Sequence, residues 1–116
     1  MPRKPSTEEG ASLTPLMFQI LVALTGEDRH GYAIMQEIEN RTGGAFTIGA
    51  GTMYRTIKQL LDAGFLKETV KAESGHRQRR YYRITATGRR RAAQEARVFH
   101  SMVEWAAEAD LLDSDA

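Results

Sequence analysis

Apolar side chains recur every three or four positions at Leu16, Met17, Ile20, Leu21, Ala23 and Leu24, the spacing of one buried helical face. Thr14 and Pro15 stand at the head of this run, an N-cap residue followed by the residue best suited to a first helical position, and Gly26-Glu27-Asp28 ends it. A second helix is predicted from about Gly31 to Thr42, with Ile34, Met35 and Ile38 inward and Gln36, Glu37, Glu39 and Arg41 outward, and Gly43-Gly44 supplies a left-handed stop. Ala45 to Ile48 has room only for a stub of strand between helices 2 and 3.

The third helix is expected to follow the turn Gly49-Ala50-Gly51, with Thr52 as cap, and to run to Ala63 before Gly64. Successive helical side chains turn by about 100°. Met53, Ile57, Leu60 and Leu61 therefore converge on one side, while Thr52, Arg55, Gln59 and Asp62 lie opposite with Lys58 at the edge. One face packs and the other is free to touch something. Tyr54 sits about 60° off the packed direction, between core packing and outward reach. Phe65 to Lys71 and Arg77 to Ile84 then read as two strands around a turn at Ala72 to His76, with Tyr81 and Tyr82 on opposite faces and at least one of them in the core. Thr85 or Thr87 caps a fourth helix continuing to about Leu112. It carries two apolar stripes, Ala92, Ala96, Phe99, Val103 and Ala106 on one side and Val98, Trp105, Ala109 and Leu112 on another. A helix apolar on two sides needs two surfaces to pack on, and the second is expected from another subunit.

Composition narrows the class. The chain has 116 residues, 41% hydrophobic and 27% charged, with no cysteine, which suits one domain and excludes a disulfide scaffold or a zinc-thiolate module. The expected division is a flexible arm over 1–12, a compact domain over 13–85, a C-terminal helix over 86–112 and a tail over 113–116. The longest mostly apolar stretch, Leu16 to Leu24, is far short of a membrane span, and Met1 to Gly10 lacks an apolar signal segment, so the expected location is cytoplasmic.

Charge changes the picture only when it is divided along the chain. Residues 71–103 hold nine Lys or Arg against two acids, whereas 104–116 hold five acids and no base. Between Ser74 and Gln94 stand seven arginines and no acid, a local positive field whose guanidinium forks match phosphate oxygens. Arg89, Arg90 and Arg91 open helix 4, where the helix dipole disfavours cations, and that misfit points at least one of them toward phosphate.

Other chemistries find no support. The glycines at 43, 44, 49 and 51 are not followed by Gly-Lys-Ser/Thr, and no G-x-G-x-x-G opens a helix, so they read as turns rather than a nucleotide loop. His30, His76 and His100 stand alone, without metal-ligand spacing; His30 reads as a turn or cap residue and His100 as a helix-surface one. No nucleophile and base pair is recognisable, and neither an enzyme nor a cofactor is expected.

The fold expected is mostly α with a small β-hairpin: a winged helix-turn-helix followed by a C-terminal dimerisation helix. In that layout the third helix enters the DNA major groove and the hairpin lies along the neighbouring phosphates. Those slots hold Thr52, Tyr54, Arg55, Lys58 and Gln59, and His76, Arg77 and Arg79. Arg55 can pair bidentately with guanine, Gln59 with adenine, and Lys58 can serve a guanine or a phosphate. The competing class is a winged-helix protein-interaction module whose arginines meet acidic protein.

Three segments resemble the PadR-type transcriptional regulators. His30-Gly31-Tyr32-Ala33-Ile34 is similar to the family's HGY segment; Gly51-Thr52-Met53-Tyr54-Arg55, with Leu60 and Gly64-Phe65-Leu66, is similar to its GTLY…L…GLI pattern; Arg80-Tyr81-Tyr82-Arg83-Ile84-Thr85 and Gly88 resemble its KYYxLTxxG pattern. The resemblance spans Leu13 to Leu111, with Met53 in place of the common Leu. It implies a dimeric, repressor-like protein on an inverted-repeat operator, with helix 4 and helix 1 at the dimer interface. The short C-terminal helix resembles the small subgroup, some of which bind planar aromatic or cationic small molecules between subunits beside a tryptophan. Phe99 and Trp105 are the matching candidates, with Glu104, Glu108 and Asp110 placing negative charge beside the indole.

Overall fold

A computed structural model describes residues 13–72 and 78–112. The chain runs α1 (Pro15–Ala23), β1 (Arg29–His30), α2 (Gly31–Arg41), α3 (Ala50–Asp62), β2 (Leu66–Ala72), β3 (Gln78–Ile84) and α4 (Ala86–Glu108). Three helices pack around Ile20, Leu21, Ile34, Met53, Ile57, Leu60 and Phe65, all fully buried, with Tyr82 and Ile84 closing the core from the sheet. Of the tyrosine pair, Tyr82 is thus the core member.

Local chemistry sets the helix ends. The Thr14 hydroxyl accepts from the Met17 N–H at 3.1 Å with Pro15 in the first turn, and the Thr85 hydroxyl accepts from the Gly88 N–H at 3.0 Å, which decides between the two threonines before α4. Gly64 takes φ 80° after α3, where the Phe65 N–H reaches back to the Leu60 carbonyl at 3.0 Å. Gly88 is required for a different reason: a Cβ there would collide with the Phe65 carbonyl, so α4 can start against the α3–β2 junction only with glycine.

Three expectations are corrected. Residues 45–48 form no strand; the short strand is β1, between α1 and α2, and it pairs antiparallel with β3, Arg29 opposite Tyr82 and His30 opposite Tyr81. A strand exists only where a partner offers its hydrogen bonds, and β3 offers its free edge to 29–30. The order of the sheet is β1-β3-β2, so the hairpin gains a third strand. Helix α3 begins at Ala50 with Gly49 as N-cap and no side-chain cap, which puts Thr52 inside the first turn. Helix α4 stops at Glu108: Asp110 adopts φ 63°, and the Leu111 N–H bonds the Ala106 carbonyl at 2.9 Å, closing the helix before Leu112. Asp is one of the few non-glycine residues that tolerates this conformation.

Among the described residues, α4 packs through its first half and Phe99. Gly88, Arg91, Ala92 and Glu95 are buried, the Glu95 carboxylate accepts from the Leu13 N–H at 3.0 Å, and Phe99 meets Phe18 of α1 edge-on, with centroids 4.8 Å apart. Beyond it Val98, Met102, Val103, Trp105, Leu111 and Leu112 are exposed.

Candidate nucleic-acid interface

The outward face of α3 is as the periodicity requires. Met53, Ile57 and Leu60 are buried, and Thr52, Arg55, Lys58, Gln59 and Asp62 are exposed. Thr56, which the sequence reading did not single out, joins the buried face because its hydroxyl donates to the Thr52 carbonyl at 2.8 Å. Lys58 Nζ lies 3.4 Å from Asp62, an exposed pair of little strength that leaves the ammonium available to a stronger anion.

Tyr54 is 48% exposed, and its ring lies over Gly31, where a Cβ would strike the phenol. Glycine at the start of α2 is therefore what lets the phenol lie against that helix. Beside the phenol opens a cleft of about 360 Å³, lined by His30, Tyr32, Arg79, Arg80 and Tyr82 as well. Residues far apart in the chain meet here because β1 pairs with β3 and α3 lays Tyr54 over Gly31 at the start of α2. His30 caps α2, its Nδ1 accepting from the Ala33 N–H at 3.2 Å, and its Nε2 faces Arg79 Nη1 at 3.0 Å. Tyr81 holds the imidazole edge-on from the strand, with centroids 5.4 Å apart. Arg80 stands 3.7 Å from Glu68 across the hairpin. Burial, then the charge of Glu68, pushes the Tyr82 phenol above its usual range, so it serves as a neutral hydroxyl.

Thr52, Tyr54, Arg55, Lys58, Gln59 and Arg79 are thus all on the surface, and Tyr54 and Arg79 share one cleft. His76 and Arg77 lie outside the described residues. Not every arginine of the basic segment faces outward for a ligand. Arg83 forks onto Asp28 at 2.8 and 3.0 Å, tying the hairpin to the loop after α1, and the Asp28 carboxylate raises the guanidinium pKa further. Arg89 donates to the Thr25 carbonyl at 2.8 Å and Arg91 is only 7% exposed, so these two arginines are built into the fold, whereas Arg90, exposed, donates to the nearby Thr87 hydroxyl. The sequence reading found the cap at His30 but missed its second face, which only the β1–β3 pairing brings to Arg79.

Phe99 and Trp105 face different surroundings. Phe99 is partly buried against Phe18, and Trp105 is 73% exposed. No group of three His, Cys, Asp or Glu that could hold a metal occurs among the described residues, and no described helix is long and apolar enough to cross a membrane.

Helix pair, hairpin wing and polar outward face together define a winged helix-turn-helix protein. The chain belongs to the transcriptional regulator PadR-like family, whose model matches residues 20–94. Its fold resembles a transcriptional regulator from Clostridium thermocellum, 26% identical, with a TM-score of 0.71 over 80% of this chain and 87% of that one. A PadR family regulator from Clostridium difficile shares the fold at 22% identity, with a TM-score of 0.72 over 82% of this chain and 97% of that one. Bacillus subtilis PadR, whose structure contains operator DNA, shares it at 21% identity and a TM-score of 0.63, over 70% of this chain and 47% of that one. An uncharacterized protein of Lysinibacillus sphaericus is 33% identical over 94 residues, 81% of each chain. The family and these structural neighbours are transcriptional regulators, not enzymes.

Proposed function

We propose that the chain is a sequence-specific DNA-binding regulator that works as a homodimer, represses transcription and is released by a small-molecule effector. The observation that carries the DNA reading is the exposed row Thr52, Arg55, Lys58 and Gln59 on α3, continuous through Tyr54 with the arginine-lined cleft of the wing. Arg55 and Gln59 read bases, Thr52, Tyr54 and Lys58 support them, and Arg79, with Arg77 and His76, holds phosphates. The operator complex of Bacillus subtilis PadR supports the same use of the shared fold.

The dimer reading rests on the exposed apolar side chains of α4's second half. Two-fold symmetry then calls for an inverted-repeat operator with half-sites about one helical turn apart. The effector is planar and aromatic or cationic, and binds between subunits near Trp105 and Phe99. The working units are an arm over 1–12, a DNA-binding domain over 13–85, a dimerisation segment over 86–112 and a tail over 113–116, acting in the cytoplasm where the operator lies. Selection of bound duplexes from a random pool tests the reading. The expected result is an inverted repeat whose log affinity falls by about 0.9 per neutralised phosphate per decade of salt. A protein with no duplex preference and a shallow salt response is instead a protein-binding module.

A further inference from the structure

The His30 imidazole faces two donors and has one lone pair to give. A neutral imidazole offers one acceptor nitrogen and one N–H, an imidazolium offers none, and a guanidinium never accepts. Yet the Ala33 N–H points at Nδ1 at 3.2 Å and Arg79 Nη1 stands at Nε2 at 3.0 Å. If Nδ1 keeps its lone pair for the helix cap, Nε2 carries the proton and confronts the Arg79 N–H. If Nε2 accepts from Arg79, Nδ1–H confronts the Ala33 N–H and the cap is lost. No protonation state of His30 satisfies both neighbours.

An oxygen acceptor placed between Nε2 and the guanidinium removes the conflict. Nδ1 keeps the cap, and both Nε2–H and Arg79 donate to the oxygen. The surroundings suit an anion. The groups that face the imidazole are Arg79, Arg80, Tyr81 and Tyr82 from β3, Tyr54 from α3 and Tyr32 from α2, and no carboxylate is among the described residues lining the cleft. Glu68 stays engaged with Arg80 across the hairpin.

We propose that His30 and Arg79 form the seat of one DNA backbone phosphate, and that filling the seat fixes His30 as the Nε2–H tautomer. The proposal rests on the DNA reading above and adds to it a residue and a proton.

The test uses the full chain with histidine-labelled nitrogens, whose two-bond correlations distinguish Nδ1–H from Nε2–H. Inorganic phosphate, and separately the tightest duplex from a random pool, should each drive His30 to the Nε2–H form. His30→Asn keeps an N-cap while removing the Nε2–H donor, and should lower duplex affinity several-fold. Duplex binding with unmoved His30 resonances, or undiminished duplex affinity in His30→Asn, overturns the seat and leaves the DNA reading standing. A phosphate response with no duplex binding does the reverse.

Discussion

Two surfaces of this small molecule are equally uncovered and chemically opposite. The outward face of α3 presents Thr52, Arg55, Lys58 and Gln59, while the second half of α4 presents Val98, Met102, Val103 and Trp105. Both belong to amphipathic helices whose other sides are packed, so exposure alone does not distinguish them. The nature of the missing partner does. A polar face with forked donors gains most from fixed acceptors such as base edges and phosphates, and loses little in water while it waits. An apolar face keeps its cost until it is covered by another apolar surface. On the reading proposed above, the first suits a partner that comes and goes and the second one that stays.

The strongest way to break this contrast is to charge the apolar face. Val98→Asp with Val103→Asp should convert a sedimenting dimer to a monomer, because each buried aliphatic side chain is worth roughly 1.5–3 kcal/mol and the aspartates add desolvation. Operator affinity should fall with it by about 10²- to 10⁴-fold as avidity is lost, while the circular dichroism spectrum is retained. A wild-type monomer at micromolar concentration would remove the second surface from the comparison altogether.

Next in size are substitutions on the polar face. Arg55→Ala and Gln59→Ala should each cost about 1–3 kcal/mol on the preferred duplex and much less on others, so selection from a random pool returns a degenerate position. Uniform weakening would show that α3 holds the backbone rather than reading bases. Arg79→Ala should have the uniform effect, weakening all duplexes and lowering the salt slope by about one unit.

Much of both surfaces was legible because helical periodicity reports faces directly. Met53, Ile57 and Leu60 against Arg55 and Gln59 required no tertiary knowledge, and neither did Thr14 and Pro15 at the head of α1. What periodicity missed depends on pairing between distant segments. Arg29–His30 carries no strand signal and becomes one because β3 has a free edge; His30 meets Arg79, 49 positions away, only through that pairing. The arginines opening α4 illustrate the same limit. A misfit with the helix dipole was real in sequence, but at Arg89 its answer is the Thr25 carbonyl just beyond α1. The end of α4 was extended to Leu112 because the apolar spacing continues, whereas the left-handed Asp110 stops it.

A smaller effect is expected from the apolar side's aromatic residue. Trp105 is the sole tryptophan, so its fluorescence reports on that surface alone. A planar cationic dye should quench it in the wild type and weaken duplex binding only by as much as its affinity differs between the free and the DNA-bound protein. Quenching with unchanged duplex affinity would leave Trp105 as interface packing.

The finest probe joins the two kinds of surface at Gly31, where packing and recognition share one contact. A Cβ added there meets the Tyr54 phenol, the outer end of a half-exposed side chain, rather than backbone. The ring can therefore swing away without disturbing Met53 and Ile57 behind it, and the loss of glycine from the first turn of α2 is itself mildly favourable. Gly31→Ala should change the melting temperature by no more than a few degrees, yet lower duplex affinity by about 1 kcal/mol, the worth of one hydrogen bond, as the hydroxyl leaves the cleft. Tyr54→Phe should produce the same loss, and the two together no more than either alone, since both remove one contact. Additive losses would mean that Gly31 acts on binding through α2 rather than through Tyr54, and the cleft would then have to be described without the phenol.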